Sequence, residues 1–146
     1  MGAAENKTRS IQFVDEVFNK GNLSFIDQFS IPDLVDHASI PGLPSGPAGL
    51  KMFVTGLRAA FPDLHYSVQD TIVEGDKVVA RLSARGTMKG DFNGMPASGK
   101  TAQWEEIHIT RFANGLAVEH WGIVDQLSML TQLGFINQGQ SADSRR

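Results

Sequence analysis

The residues of this chain best suited to move a proton lie close together, between Trp104 and Asp125. Glu106, His108 and Trp121 stand within that stretch, and the dipeptide Asn114-Gly115 fixes how they face one another. Both central residues of a type I′ turn need φ > 0, which asparagine and glycine tolerate best. With these two as the loop, Ala113 pairs with Leu116, Phe112 with Ala117, His108 with Trp121, Glu106 with Ile123 and Trp104 with Asp125. Side chains alternate across a strand, so Trp104, Glu106, His108, Trp121, Ile123 and Asp125 share one face. Burial against Trp104 would raise the Asp125 carboxyl above its ordinary value of about 3.9, and an ionised Glu106 diagonal to it would add repulsion. An aspartate so placed is a candidate general base. One bulge between the turn and Asp125 would reverse part of this assignment.

The opposite face carries Ile107, Ile109, Val118, Gly122 and Val124, with Glu105, Arg111 and His120 among them. A sheet apolar on both sides is covered on both, by helices or by a partner subunit. The mixed polar and aromatic face is the better pocket wall, because ligand sites are mostly apolar with a few placed polar groups. His120 faces away from Asp125 in this register and reads as structural. For Asp125 itself a second role is open: it directly precedes an apolar-periodic run and can cap the helix that begins at Gln126.

The elements that must position these residues are legible from periodicity. Glu5 to Lys20 places Ile11, Val14, Val17 and Phe18 at helical spacing, and Gly21 supplies a stop. Asn22 or Ser24 caps a second short helix with Leu23, Ile26 and Phe29, which Pro32 ends. Leu34 to Ala38 reads as a short strand or turn, and the run Ile40 to Pro47, with three prolines and two glycines, forbids regular structure. Ala48 to Phe61 puts Leu50, Phe53, Val54, Leu57 and Phe61 on one stripe of a third helix, closed by Pro62. The period then changes to two: His65 to Val73 and Lys77 to Met88 flank a Gly75-Asp76 turn that sets Asp70 opposite Arg81 as a cross-strand ion pair. Gly90 to Gly99 is a glycine-rich loop leading into the strand Lys100 to Phe112. Gln126 to Gly134 is a last helix with a glycine stop. Helices first and consecutive strands after point to an α+β fold, with N-terminal helices packed in a strongly curved antiparallel sheet. One domain spans residues 1–137, and 138–146 form a frayed tail.

Composition removes whole classes of function. A net charge of −3, with 13 basic residues that form no run, gives no surface for nucleic acid. The chain has no cysteine, which excludes disulfides, thiolate catalysis and zinc–sulfur sites. The four histidines lack metal-ligand spacing, so no metal is expected. No stretch is long and apolar enough for a membrane span, and a soluble, cytoplasmic protein is the default.

Four segments carry a resemblance: Phe61-Pro-Asp-Leu64, the run Val73 to Arg81, the loop Gly86 to Lys100, and Glu119-His-Trp followed by Asp125 and the Met129-Leu-Thr-Gln-Leu-Gly134 helix end. Together they make His37 to Gly134 similar to the SnoaL-like polyketide cyclases, within the superfamily of nuclear transport factor, ketosteroid isomerase and limonene epoxide hydrolase. The resemblance implies an α+β barrel or cone around a deep, mostly apolar cavity, and assembly as a homodimer or homotetramer. It also implies an intramolecular aldol condensation on a polyketide-like ester, with neither metal nor organic cofactor. By that likeness Asp125 is the base and His108 the assisting donor. In the flat register His108 lies four residues from the position facing Asp125, about 13 Å away, so contact needs strong curvature or a bulge. His37, Phe53, Met88, Trp104, Glu106 and Trp121 are the expected substrate-binding residues around a small apolar or aromatic ligand. Two departures stand out: Met88 where histidine is common after Gly-Thr, which changes the pocket wall, and Ser98 where threonine is common. Other readings on the same frame are an epoxide hydrolase, which would need Arg81 bridging Asp125 and a second carboxylate, a double-bond isomerase, or a non-catalytic ligand-binding protein.

Overall fold

The computed structural model describes residues 2–137, so the tail beyond them lies outside the description. Its elements are α1 (Ala3–Phe13), α2 (Ser24–Phe29), β1 (Ser30–Asp36), α3 (Pro47–Ala60), β2 (His65–Glu74), β3 (Lys77–Thr87), β4 (Thr101–Ala113), β5 (Leu116–Val124) and α4 (Gln126–Leu133). The first helix runs on past Phe13 as a π-helical segment, Val14–Asn19, in which the Lys20 amide donates to the Asp15 carbonyl at 3.0 Å. Arg58 from α3 finishes this end by donating to the carbonyls of Phe18 and Asn19, both at 2.7 Å. Those carbonyls have no partner within their own helix, and the guanidinium supplies one.

The structure departs from the reading of the sequence at the end of α2 and in the pairing of the sheet. Helix α2 stops at Phe29, before Pro32, because the chain turns extended at Ser30 and Pro32 sits inside β1. Proline is tolerated there because β1 is an edge strand, with one side free of ladder hydrogen bonds. Second, the five strands run in the order β1-β5-β4-β3-β2, and β1 pairs with β5 in parallel. The sheet is therefore mixed, with three antiparallel pairs and one parallel pair. Connecting two parallel strands takes a long crossover, here nearly the whole domain, and leaves no local trace in the sequence.

The hairpin turns form where Gly75 and Asn114-Gly115 predict them: Glu74 faces Lys77, Ala113 faces Leu116, and φ is +53° at Asn114 and +77° at Gly115. Beyond the second turn a bulge intervenes. Phe112 still pairs with Ala117, but Arg111 pairs with Glu119, leaving Val118 without a cross-strand partner. Every residue of β5 from Glu119 onward is thus one place out of the simple register. His108 faces Gly122, Ile109 faces Trp121, and Glu106 faces Val124.

The helices cover one face of this sheet. Val14, Leu57, Phe61, Tyr66, Leu82, Trp104, Met129 and Leu133 make the main buried cluster between them. Met88 is fully buried in that cluster. Among the described residues no element covers the outer face, which exposes Ile72, Ile107 and Ile123. Arg81 lies on this outer side, where it donates to Asp70 at 2.8 Å and to Glu105 at 2.9 Å.

Between β1 and α3 the chain makes a stiff lip. Pro41, Pro44 and Pro47 restrict it, and Gly46 takes φ +75°. Gly49 lets it lie flat on α3: a Cβ there would sit 1.7 Å from the Pro44 carbonyl oxygen.

Candidate active site

Helices, lip and inner sheet face enclose a cavity of about 550 Å³. Its walls are mostly apolar, with Phe13, Phe29, Leu50, Phe53, Phe92 and Leu130 among them. Among the described residues, no lysine or arginine lines it. The polar groups converge on the sheet wall, because residues two apart on a strand point the same way. Trp104, Glu106 and His108 therefore stand in a column on β4, and His120 joins them from β5. Asp36, at the end of β1, is the cross-strand partner of His120 in the parallel pair.

These side chains form one continuous line of hydrogen bonds. Asp36 Oδ1 is 2.8 Å from His120 Nδ1, His120 Nε2 is 2.9 Å from His108 Nδ1, and His108 Nε2 is 2.8 Å from Glu106 Oε1. The other oxygen of Glu106 accepts from Tyr66 OH at 2.7 Å and from Trp104 Nε1–H at 2.8 Å. Asp36 Oδ1 also accepts from the Ala38 amide at 2.9 Å, whereas Asp36 Oδ2 has no hydrogen-bond partner among the described residues.

The electrostatics follow from this wiring. Burial alone would raise Glu106, which is only 6% exposed, but the hydrogen bond and charge of His108, with the Tyr66 and Trp104 donors, hold it below the ordinary carboxylate value. Asp36 behaves alike: burial pushes it up, and the bond and charge of His120, the Ala38 amide and the charge of His108 more than offset that. Tyr66 is pushed well above the ordinary phenol, first by burial and then by the Glu106 charge and hydrogen bond, so it remains a donor.

The sequence placed Trp104, Glu106, His108 and Phe53 at a ligand site, and all four line the cavity. Four other residues lie elsewhere. Asp125 is exposed, and its Oδ1 accepts from the Ser128 amide at 3.1 Å as the N-cap of α4. With the bulge at Val118, Asp125 falls beside Glu105, to whose carbonyl its amide donates, and no longer faces Trp104. The bulge also turns Trp121 to the outer face, where it stacks on His37 with centroids 5.0 Å apart. His37 is exposed and bonds Glu119 at 2.7 Å, so it leaves the cavity as well. Met88 lies in the core behind the wall. Arg81 makes no bridge to Asp125, which removes the geometry an epoxide-opening relay would need.

Three site residues were missed: Asp36, Tyr66 and His120. The signal for His120 was Gly122, since a glycine inside a strand marks a bulge or a close approach. A Cβ at Gly122 would lie 2.5 Å from His108 Nδ1 and 3.2 Å from His120 Cε1. No helix among the described residues is long and apolar enough to cross a membrane.

The same architecture and sequence pattern occur in known proteins. The sequence model for SnoaL-like polyketide cyclase matches residues 8–133. Aklanonic acid methyl ester cyclase DauD of Streptomyces sp. (strain C5) is 29% identical over 122 residues, covering 82% of this chain and 76% of that protein. Nogalonic acid methyl ester cyclase of Streptomyces nogalater is 29% identical over 119 residues, covering 80% of this chain and 89% of that protein. The solved structure of TsrD from Streptomyces laurentii aligns with a TM-score of 0.84 at 28% identity, over 93% of this chain and 99% of that one. The match therefore takes in both the helical cover and the sheet wall that carries the polar line, and the chain belongs to the SnoaL-like polyketide cyclase family.

Proposed function

We propose that this protein closes a ring in a neutral polyketide-like ester by intramolecular aldol condensation, without a cofactor, and that Asp36 is the base. The observation that carries this reading is the free Oδ2 of Asp36 at the cavity wall. Both oxygens of Glu106 and all four ring nitrogens of the histidines already have partners. Asp36 Oδ2 can take a proton without breaking the line.

The reaction balances within the substrate and this one carboxylate. Asp36 removes a proton from a carbon flanked by two carbonyls, leaving an enolate. The enolate carbon attacks a second carbonyl carbon of the same molecule, forming the carbon–carbon bond and an alkoxide. The alkoxide takes the proton back from Asp36, giving the β-hydroxy carbonyl product and restoring the carboxylate. Because Asp36 is held below the ordinary range it is ionised at neutral pH, but it is also a weak base. The site must then stabilise the enolate, and the hydrogen-bonded imidazoles aligned behind Asp36 are the polar groups placed to offset its charge.

The test is turnover of a polycyclic β-keto ester by wild type, Asp36→Asn and Asp125→Asn. Removing a general base is expected to lower kcat by about 10²–10⁴-fold in Asp36→Asn with ligand binding retained. Asp125→Asn is expected to keep both turnover and fold, because asparagine caps a helix as well as aspartate. The reverse pattern would return the base to Asp125.

A second expectation concerns ligand charge. With no lysine or arginine among the described lining residues and two carboxylates along the wall, the cavity disfavours an anion. Titration calorimetry with a matched pair should show the methyl ester binding more tightly than its free acid at pH 7, and the gap should narrow as pH falls and the free acid becomes neutral.

A further inference from the structure

Three hydrogen bonds link Asp36, His120, His108 and Glu106 in series, and each needs one hydrogen. Two carboxylates and two neutral imidazoles bring only two ring hydrogens. The line is complete only with a third, and its charge is then −1 wherever that hydrogen sits.

We infer that these four residues act as one proton-sharing unit, and that Gly122 is the positioning residue that lets the unit close. Gly122 is the cross-strand partner of His108, and the two imidazoles meet over it, their rings 5.1 Å apart and 16° from parallel. Any side chain at residue 122 would occupy the space of His108 Nδ1, the atom that bonds His120. The same backbone that would support a larger residue in an ordinary strand therefore has none here. The glycine has a cost in strand stability, and the unit is what it permits.

The groups facing the unit come from four strands: Asp36 on β1, Tyr66 on β2, Trp104 and Glu106 on β4, and His120 on β5. Thr110, the cross-strand partner of His120, also lines the cavity, and among the described residues no lysine or arginine does. With the third hydrogen between the imidazoles, positive charge sits at the centre of the line. With it moved outward, one carboxylate is neutral and the centre is neutral too. Each shift moves hydrogens along existing bonds by less than an ångström, with no change in heavy-atom contacts. When Asp36 Oδ2 accepts a substrate proton, the unit can pass positive charge inward toward Glu106, and it can return it when the alkoxide forms. This functional part rests on the cyclase reading with Asp36 as base. The count of hydrogens does not.

The experiment is nitrogen-15 NMR of the histidine rings in the ligand-free protein at pH 7, for wild type, Gly122→Ala and His120→Phe. Wild type is expected to show three hydrogens in bonds to the ring nitrogens of His108 and His120, each resting on nitrogen or on the bonded carboxylate oxygen. Gly122→Ala is expected to separate the rings, leaving two such hydrogens, with kcat lowered about 10²-fold and KM little changed, the scale of an ångström-level misplacement. Should Gly122→Ala not fold, His120→Phe keeps a ring of similar size and is expected to leave His108 with one ring hydrogen, bonded to Glu106. Only two such hydrogens in wild type, or a His108 spectrum unaltered by either substitution, would overturn the unit. A wild type with three such hydrogens and an Asp36→Asn variant with full turnover would keep the unit and sink the aldol assignment instead.

Discussion

Glu106→Ala is expected to lower the unfolding free energy by about 3–5 kcal/mol, the loss seen when one partner of a buried charged network is removed. The size follows from what remains behind. Tyr66 OH, Trp104 Nε1–H and His108 Nε2 all bond this carboxylate, and all would be left facing a void. Tyr66 and Trp104 are themselves only 4% and 3% exposed, so donors that bond the carboxylate now would lose a buried acceptor. Glu106→Gln keeps the shape and one acceptor oxygen but points an amide at groups that also donate, so it should fall between the two. Urea unfolding at pH 7 gives all three values, and an alanine variant within 1 kcal/mol of wild type would show that the donors find other partners.

Acid is expected to act on the same carboxylates. Glu106 and Asp36 have ordinary values of 4.5 and 3.8, and both are held lower in the fold. As pH falls, the unfolded chain takes up these protons first, so protonation favours unfolding. Their contribution to stability is fully present above about pH 5 and shrinks as pH drops through the unfolded values. It is gone once pH is below the folded ones. Glu106 should dominate, because its oxygens carry more hydrogen bonds and are more deeply buried. Chemical denaturation between pH 7 and pH 3 should give a steep decline in wild type and a shallower one in Glu106→Gln. Equal slopes would place the acid sensitivity elsewhere.

How far the site could be read from sequence divides at a single residue, Val118. On the β4 side of the turn every assignment of face holds, since alternation from Trp104 to His108 is local and nothing interrupts it. Phe53 was likewise legible, from the apolar stripe of α3. On the β5 side the extra residue exchanges the two faces: His120 and Val124 go in, Trp121 and Ile123 go out. A bulge has little signature beyond the glycine it often accompanies, and Gly122 was the one mark on the page. Asp36 was beyond reach for a different reason. Its position depends on a parallel pairing between residues 84 apart in the chain, Asp36 and His120. Pairings of that range are set by tertiary packing, which no local pattern encodes. Tyr66 reaches Glu106 across an intervening strand, another relation that needs the folded sheet. Asp125 shows the converse: the sequence left helix cap and base both open for it, and the structure gives its carboxylate the cap.

The stiff lip between β1 and α3 bears on how the cavity takes up a guest. Ile40, Pro41, Leu43 and Pro44 lie along the wall, held by ring-restricted backbone and by the close seat of Pro44 on Gly49. A doorway already ordered before a guest arrives subtracts little from affinity on binding, because few torsions remain to be frozen. For a guest that enters past this edge, a fixed contour selects by shape rather than by closing over it.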